Sequence, residues 1–235
     1  MDGPPDRPRL EPRQRWRLVV RRSADAPPLT QRELSGAWEE ALGGSSLPVA
    51  WTDADTPRVR VSFGAPLPIG VAGEAELIDL ILTERLPTWR VREQLSMRLP
   101  AGWSLVDLYD VWLAGPALPG RIVAADYRIT LAGGVSAAAV EGACARLMAA
   151  QAIPRDRMKG GASVRYDLRP LLVDIAMVAA GPPVVVHART RFHPELGTGR
   201  PDEVIAALAD AAGEPLEGAS IVRERLVLAD EAPAP

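Results

Sequence analysis

Hydrophobic and polar residues alternate from Arg15 to Arg22 with the two-residue period of a strand. From Thr30 the period lengthens. Leu34, Trp38, Ala41 and Leu42 recur at helical spacing behind Thr30, and Glu33 three residues after that hydroxyl completes a capping signature. Val59 to Phe63 and Leu77 to Leu82 read as two strands separated by the Pro/Gly-rich APLPIGVAG, Trp89 to Leu99 as a helix, and Ser104 to Leu113 as a strand. The order is β-α-β-β-α-β, and it recurs. Ile122 to Leu131 predicts a strand, Ser136 to Ala150 a helix, Val164 to Leu168 and Val184 to Phe192 two strands, and Ile221 to Leu228 a last one. Before that last strand, Pro201 to Ala211 is a helix with proline and acids in its first turn. The apolar stretch Leu171 to Ala179 can be read as an extension of the strand before it. The pattern predicts an α+β fold of two tandem ferredoxin-like halves, each an antiparallel sheet with helices on one face.

Composition sets the boundaries. Residues 1–14 and 230–235, rich in proline, charge and alanine, read as poorly ordered tails. GPALPG, Gly115 to Gly120, reads as the linker between a first half at 15–114 and a second at 121–229. A chain of 235 residues that is 47% hydrophobic can bury a real core, and no run is long and apolar enough for a membrane span. The first residues, MDGPPDRPRLEPRQR, lack the apolar centre of a signal peptide, which predicts a cytoplasmic protein. The single cysteine, Cys144, lies in an Ala-rich helical run. It excludes an internal disulfide or a cysteine metal cluster, and no disulfide-linked partner is expected.

Several segments together resemble a known family. They are Leu47-Pro48-Val49-Ala50, Pro66-Leu67-Pro68-Ile69-Gly70-Val71, Glu74-Ala75-Glu76 with Asp79, Asp167-Leu168-Arg169-Pro170-Leu171, and Arg200-Pro201-Asp202-Glu203-Val204. In order and wording they look like the radical-SAM-associated domain family, a domain of unknown function found alone or behind cobalamin-type radical SAM modules. The resemblance runs from about Arg15 to Leu228 and implies a radical SAM protein, encoded elsewhere, as a partner. Where such relatives carry Ser-His-Leu-Asp, this chain reads Thr30-Gln31-Arg32-Glu33. Where they carry Gly-Phe-Asn-Pro-His-Pro-Lys, it reads Ala54-Asp55-Thr56-Pro57-Arg58-Val59-Arg60. Gln31 cannot titrate, and Arg58 is too basic to act as a base or metal ligand near neutral pH. The resemblance therefore implies either a vestigial site or an anion site in which Arg58 and Arg60 take part.

Common catalytic constellations are missing from the sequence. His187 and His193 are six residues apart on one strand, and Gly133-Gly134 and Gly160-Gly161 lack the third glycine of a phosphate cradle. No cofactor or metal site is expected. Two carboxylates stand out: Asp79 in the apolar AELIDLIL, whose burial demands an arginine or backbone donors, and Asp167, which a regular strand would set between Arg165 and Arg169.

Arginine carries the remaining signal. All but one of the 27 lysine and arginine residues are arginine, the exception being Lys159, a skew that a GC-rich genome explains most simply. In the second half Arg128, Arg165, Arg169, His187, Arg189, Arg191, Arg223 and Arg225 fall in the polar phase of their strands; in the first half Arg15, Arg17, Arg21, Arg58 and Arg60 do the same. An open sheet face of this kind is a surface on which RNA-binding domains work, although the aromatic residues that stack bases there are absent. The sequence thus predicts a non-catalytic or degenerate accessory module binding RNA or another anionic partner through Arg58, Arg60, Arg165, Arg169, Arg189 and Arg191. An RNA-modifying or hydrolytic enzyme using Asp79 or Asp167, and a protein-interaction module whose arginines pair with carboxylates such as Asp126, Asp167 and Glu224, remain as alternatives. Net charge of -3 argues against indiscriminate coating of nucleic acid.

Overall fold

The computed structural model describes residues 10–231, apart from the side chains of residues 158 and 159. It is a mixed α+β fold of four helices and a large, mostly antiparallel sheet. In chain order the elements are β1 (Gln14–Arg22), α1 (Gln31–Gly43), β2 (Val61–Phe63), β3 (Ala72–Leu82), α2 (Thr88–Ser96), β4 (Trp103–Val111), β5 (Ile122–Leu131), α3 (Ala137–Ala149), β6 (Pro154–Lys159), β7 (Ala162–Asp167), β8 (Leu172–Ala179), β9 (Val185–His193), β10 (Gly197–Thr198), α4 (Pro201–Ala212) and β11 (Gly218–Leu228). They fall into two compact units: residues 1–69 with 75–121, and residues 70–74 with 122–235. The tails expected at the two ends lie largely outside the described residues. Gln14, assigned to the first tail by composition, is buried at the start of β1, where its amide bonds to Asp110 and to the Leu86 carbonyl.

In the first unit, β1 lies between β3 and β4, and β2 pairs with β3; the β1–β4 and β2–β3 pairs are antiparallel. Strand alternation sends Trp16, Leu18 and Val20 of β1 and Ile78, Leu80 and Leu82 of β3 into the core. The helical spacing of Leu34, Trp38 and Leu42 adds the buried stripe of α1, and Val91 and Leu95 that of α2. Trp38 is fully buried, edge-on to Phe63 and Trp103. Burial of a side chain this size stabilises by about 3 kcal/mol. The expected capping box is formed: Glu33 N–H donates to Thr30 Oγ1 and Thr30 N–H to Glu33 Oε2 at 2.8 Å.

In the second unit β5 is central, between β9 and β11, and β8 lies on the outer side of β9; all these pairs are antiparallel. The first residues of β3, Ala72 and Gly73, pair in parallel with Val222 and Arg223 of β11. One strand differs from the expected pattern. Val164 to Leu168 does not enter this sheet: β7 forms a separate hairpin with β6, and β8 takes the place beside β9. The reason is burial. β8 supplies Leu172 and Ile175 to the core, whereas β7 is exposed nearly throughout, and a 3-10 turn at Arg169–Leu171, containing Pro170, separates the two.

Candidate functional site

Asp79, in the middle of β3, is 2% exposed and is enclosed by two arginines of β1. Arg15 donates to Oδ2 from Nε at 2.9 Å and from Nη2 at 2.6 Å. Arg17 donates from Nε to Oδ1 at 2.8 Å and from Nη2 to Oδ2 at 3.0 Å. The register explains the meeting. Arg15 and Arg17 share the phase opposite Trp16 and Leu18, as Asp79 does opposite Ile78 and Leu80, so the three lie on the sheet face away from the helices. Burial works against the charge on Arg17, but the hydrogen bonds and charge of Asp79 outweigh it and hold the guanidinium above its ordinary pKa. Arg15 extends the knot outwards, donating to the carbonyls of Gly115 (2.9 Å) and Pro116 (2.8 Å) in the segment after β4.

On the helix side of the same unit, Gln31, Leu34, Phe63, Ala65, Leu67, Glu76, Leu77, Ile78 and Trp103 line a small cleft. It brings Gln31 beside Glu76 of the Glu74-Ala75-Glu76 segment. Glu76 is buried and has a partner within the protein. Arg58 lies apart from this cleft: it is 3.7 Å from Glu39, eight residues along α1 from Gln31, or about 12 Å of helix rise. Arg58 and Arg60 are exposed on either side of buried Val59.

The second unit assembles an ion-pair lattice. Asp126 on β5 is 3% exposed and accepts from Arg189 Nε at 2.6 Å and Nη2 at 2.9 Å, and from Arg225 Nε at 2.8 Å. Burial favours its neutral form, but the arginines prevail and hold the carboxyl below its ordinary pKa. Arg128 bridges Glu224 and Glu74, each at 2.5 Å, and His187 Nε2 is 3.8 Å from both Asp126 and Glu224. Arginine and carboxylate alternate across the face, so the cationic sheet expected from strand phase is largely neutralised. Arg191 is exposed, with no ion-pair partner among the described residues.

Arg165, Asp167 and Arg169 do not share the strand face expected of them. The strand ends at Asp167, and Arg169 enters the 3-10 turn. Its guanidinium donates to the carbonyls of Met148 and Ala150 at the end of α3 and to that of Leu172. The Met148 and Ala150 carbonyls, at the end of the helix, would otherwise be without a helical partner. Asp167 Oδ1 accepts the backbone N–H groups of Ile153 (2.7 Å) and Arg169 (2.9 Å), so it too organises backbone. Arg165 is exposed on the hairpin and pairs with Asp156 at 3.2 Å.

Sequence reasoning missed that Arg15 and Arg17 are interior and that Arg223 is fully buried. Asp79 in an apolar strand was the available signal for the first two. Cys144 is buried on α3, and burial pushes its thiol up to about 11, which leaves it protonated near neutral pH. Among the described residues no group of three His, Cys, Asp or Glu is placed to hold a metal ion, and no helix is long and apolar enough to cross a membrane.

A family model described as an uncharacterized protein conserved in bacteria (DUF2344) matches residues 15–201. No curated protein matches the chain.

Proposed function

The chain belongs to the DUF2344 family of uncharacterized proteins conserved in bacteria, and from that premise we propose that it is a non-catalytic binding module whose anionic partner, RNA foremost, is met by exposed arginines outside the buried ion-pair clusters. The observation that carries this reading is the division of the arginines into two sets. Arg15, Arg17, Arg128, Arg169, Arg189 and Arg225 are engaged by carboxylates or carbonyls. Arg58, Arg60, Arg165 and Arg191 are exposed, with at most a weak partner, and are the proposed contacts.

The enzymatic alternative loses support from the same geometry. Asp79 already accepts four hydrogen bonds from two arginines, and Asp167 accepts two backbone N–H groups, so neither is disposed to exchange a proton with a substrate. Of the polar side chains lining the cleft, Gln31 is an amide that cannot titrate, and Glu76 is buried and already partnered within the protein. The radical-SAM-linked context implied by the resemblance belongs to this proposal: with one buried cysteine the chain has no three-cysteine cluster, so radical chemistry would reside in a partner protein, and the setting would be the cytoplasm. The proposal extends to the fold. What supports a β-α-β-β-α-β unit used twice is the pair of strand orders β4-β1-β3-β2 and β11-β5-β9-β8, the second unit carrying the β6–β7 hairpin as an insertion.

The test is retention of total cellular RNA across a salt series from about 50 to 300 mM. Four arginines on single-stranded phosphate give a log–log slope of roughly −3, and Arg58→Ala with Arg60→Ala reduces its magnitude by about 1.4. Retention that is absent at the lowest salt, or indifferent to all four arginines, overturns the reading.

A further inference from the structure

The outer edge of β4 is a surface that the arginine reading does not use. Among the described residues β4 pairs on one side only, with β1. The register is regular from Arg15↔Val111 to Val19↔Asp107; Val106 is then left without a partner, and pairing resumes at Val20↔Leu105. Asp107–Val111 is therefore an uninterrupted edge whose outward N–H and C=O groups have no strand to meet, and the bulge at Val106 marks its limit.

Such an edge is normally defended by lysine, proline or a covering segment. The stretch WSLVDLYDVWL, residues 103–113, contains no lysine, arginine or proline. Instead it exposes Val106 (46%), Tyr109 (41%) and Trp112 (75%), with Leu113 partly exposed beside them. Its charges are Asp107 and Asp110, both exposed. Asp107 meets Arg92 of α2 at 2.8 Å, which places that helix beside the edge, and among the described residues Asp110 meets the amide of Gln14. Recognition by strand addition uses an open sheet edge for main-chain hydrogen bonds and the side chains beside it for selectivity, and here those side chains are apolar and acidic.

We propose that the β4 edge docks an extended, cationic segment of a partner protein as an added strand over Asp107–Val111. Main-chain hydrogen bonds supply the pairing, apolar side chains of the segment cover Tyr109 and Trp112, and its arginine or lysine side chains meet Asp107 and Asp110. A second copy of this chain fits less well, because two such strands would bring four carboxylates and no strand cation to one seam.

The experiment uses the full chain with two synthetic probes, a peptide in which pairs of valines alternate with pairs of arginines, so that each face of the added strand carries both, and its valine–glutamate counterpart. Hydrogen–deuterium exchange is followed along residues 103–113, with affinity measured in parallel. The expected result is that the arginine peptide slows exchange within Asp107–Val111 and that Val106→Lys with Trp112→Lys weakens its binding about ten-fold or more. Both substituted side chains are exposed, and an unchanged circular dichroism spectrum confirms that the variant is folded. Equal binding of the two peptides, protection elsewhere, or a variant that binds as the parent does overturns the proposal. A dimer in sedimentation that the same substitutions dissociate overturns it in favour of a second copy.

Discussion

Asp79→Asn is the sharpest probe of the first unit. The amide preserves the shape of the carboxylate but removes its charge, leaving Arg15 and Arg17, 6% and 2% exposed, with one neutral acceptor where four charge-assisted hydrogen bonds had been. Removing one partner of a buried charge pair costs about 3–5 kcal/mol, a large share of the 5–15 kcal/mol typical of a domain. With a urea dependence of about 2 kcal/mol/M, the unfolding midpoint falls by roughly 2 M. Tryptophan emission is the natural assay, because all six tryptophans lie between Trp16 and Trp112, within the first unit. A control separates the worth of the pair from the penalty of orphaned charge: Asp79→Leu with Arg15→Leu and Arg17→Met removes all three ions, and most of the lost stability returns. A loss under about 1 kcal/mol for Asp79→Asn, or a triple variant no more stable than the single one, refutes the reasoning.

Four further outcomes follow from the same coordinates. The carboxyl of Asp126 is held below its ordinary pKa in the folded chain, so its contribution is present above the unfolded value of about 3.9 and is lost as pH falls through the lower folded value. Asp126→Asn therefore flattens the stability curve below about pH 4, read by circular dichroism because the second unit has no tryptophan. Arg169→Ala leaves the carbonyls of Met148, Ala150 and Leu172 without their donor, and faster amide exchange in the last turn of α3 is the expected sign. Thr30→Ala removes the cap of α1 and lowers stability by about 1 kcal/mol in urea titration. At Gly102, with φ of 77°, an added Cβ would lie 2.4 Å from that of Ala26, so Gly102→Ala is expected to cost well over about 1 kcal/mol in the same titration.

Local rules were legible wherever the sequence contained both partners of an interaction. Thr30 with Glu33, and Pro201 with the acids after it, start α1 and α4 as their spacing requires. β7 is a strand as its alternation predicts, but it lies outside the main sheet, a placement that alternation alone does not decide. Val164 to Leu168 alternates, but its residues have little to bury, whereas the stretch at Leu171 to Ala179 carries the apolar face that a sheet position demands. The candidate site was obscured in the same way. Strand phase separates two faces without telling which is covered, and GPALPG reads as a linker although the carbonyls of Gly115 and Pro116 hold Arg15 and Leu118 is fully buried.

That distinction decides how an arginine-rich chain should be read. A guanidinium presents five fixed donors and stays charged, so it serves a phosphate, a buried carboxylate or a frayed helix end equally well. In this protein the acceptors settle the matter locally: Asp79 and Asp126 draw in Arg15, Arg17, Arg189 and Arg225, and the end of α3 draws in Arg169. Counting arginines on a strand phase therefore overstates the charge available to a ligand. The available charge is what remains after each arginine is matched to a carboxylate or carbonyl within reach. Arg58, Arg60, Arg165 and Arg191, exposed and at most weakly paired, are the contacts proposed for an anionic partner, and the salt slope of retention, rather than affinity alone, tests them.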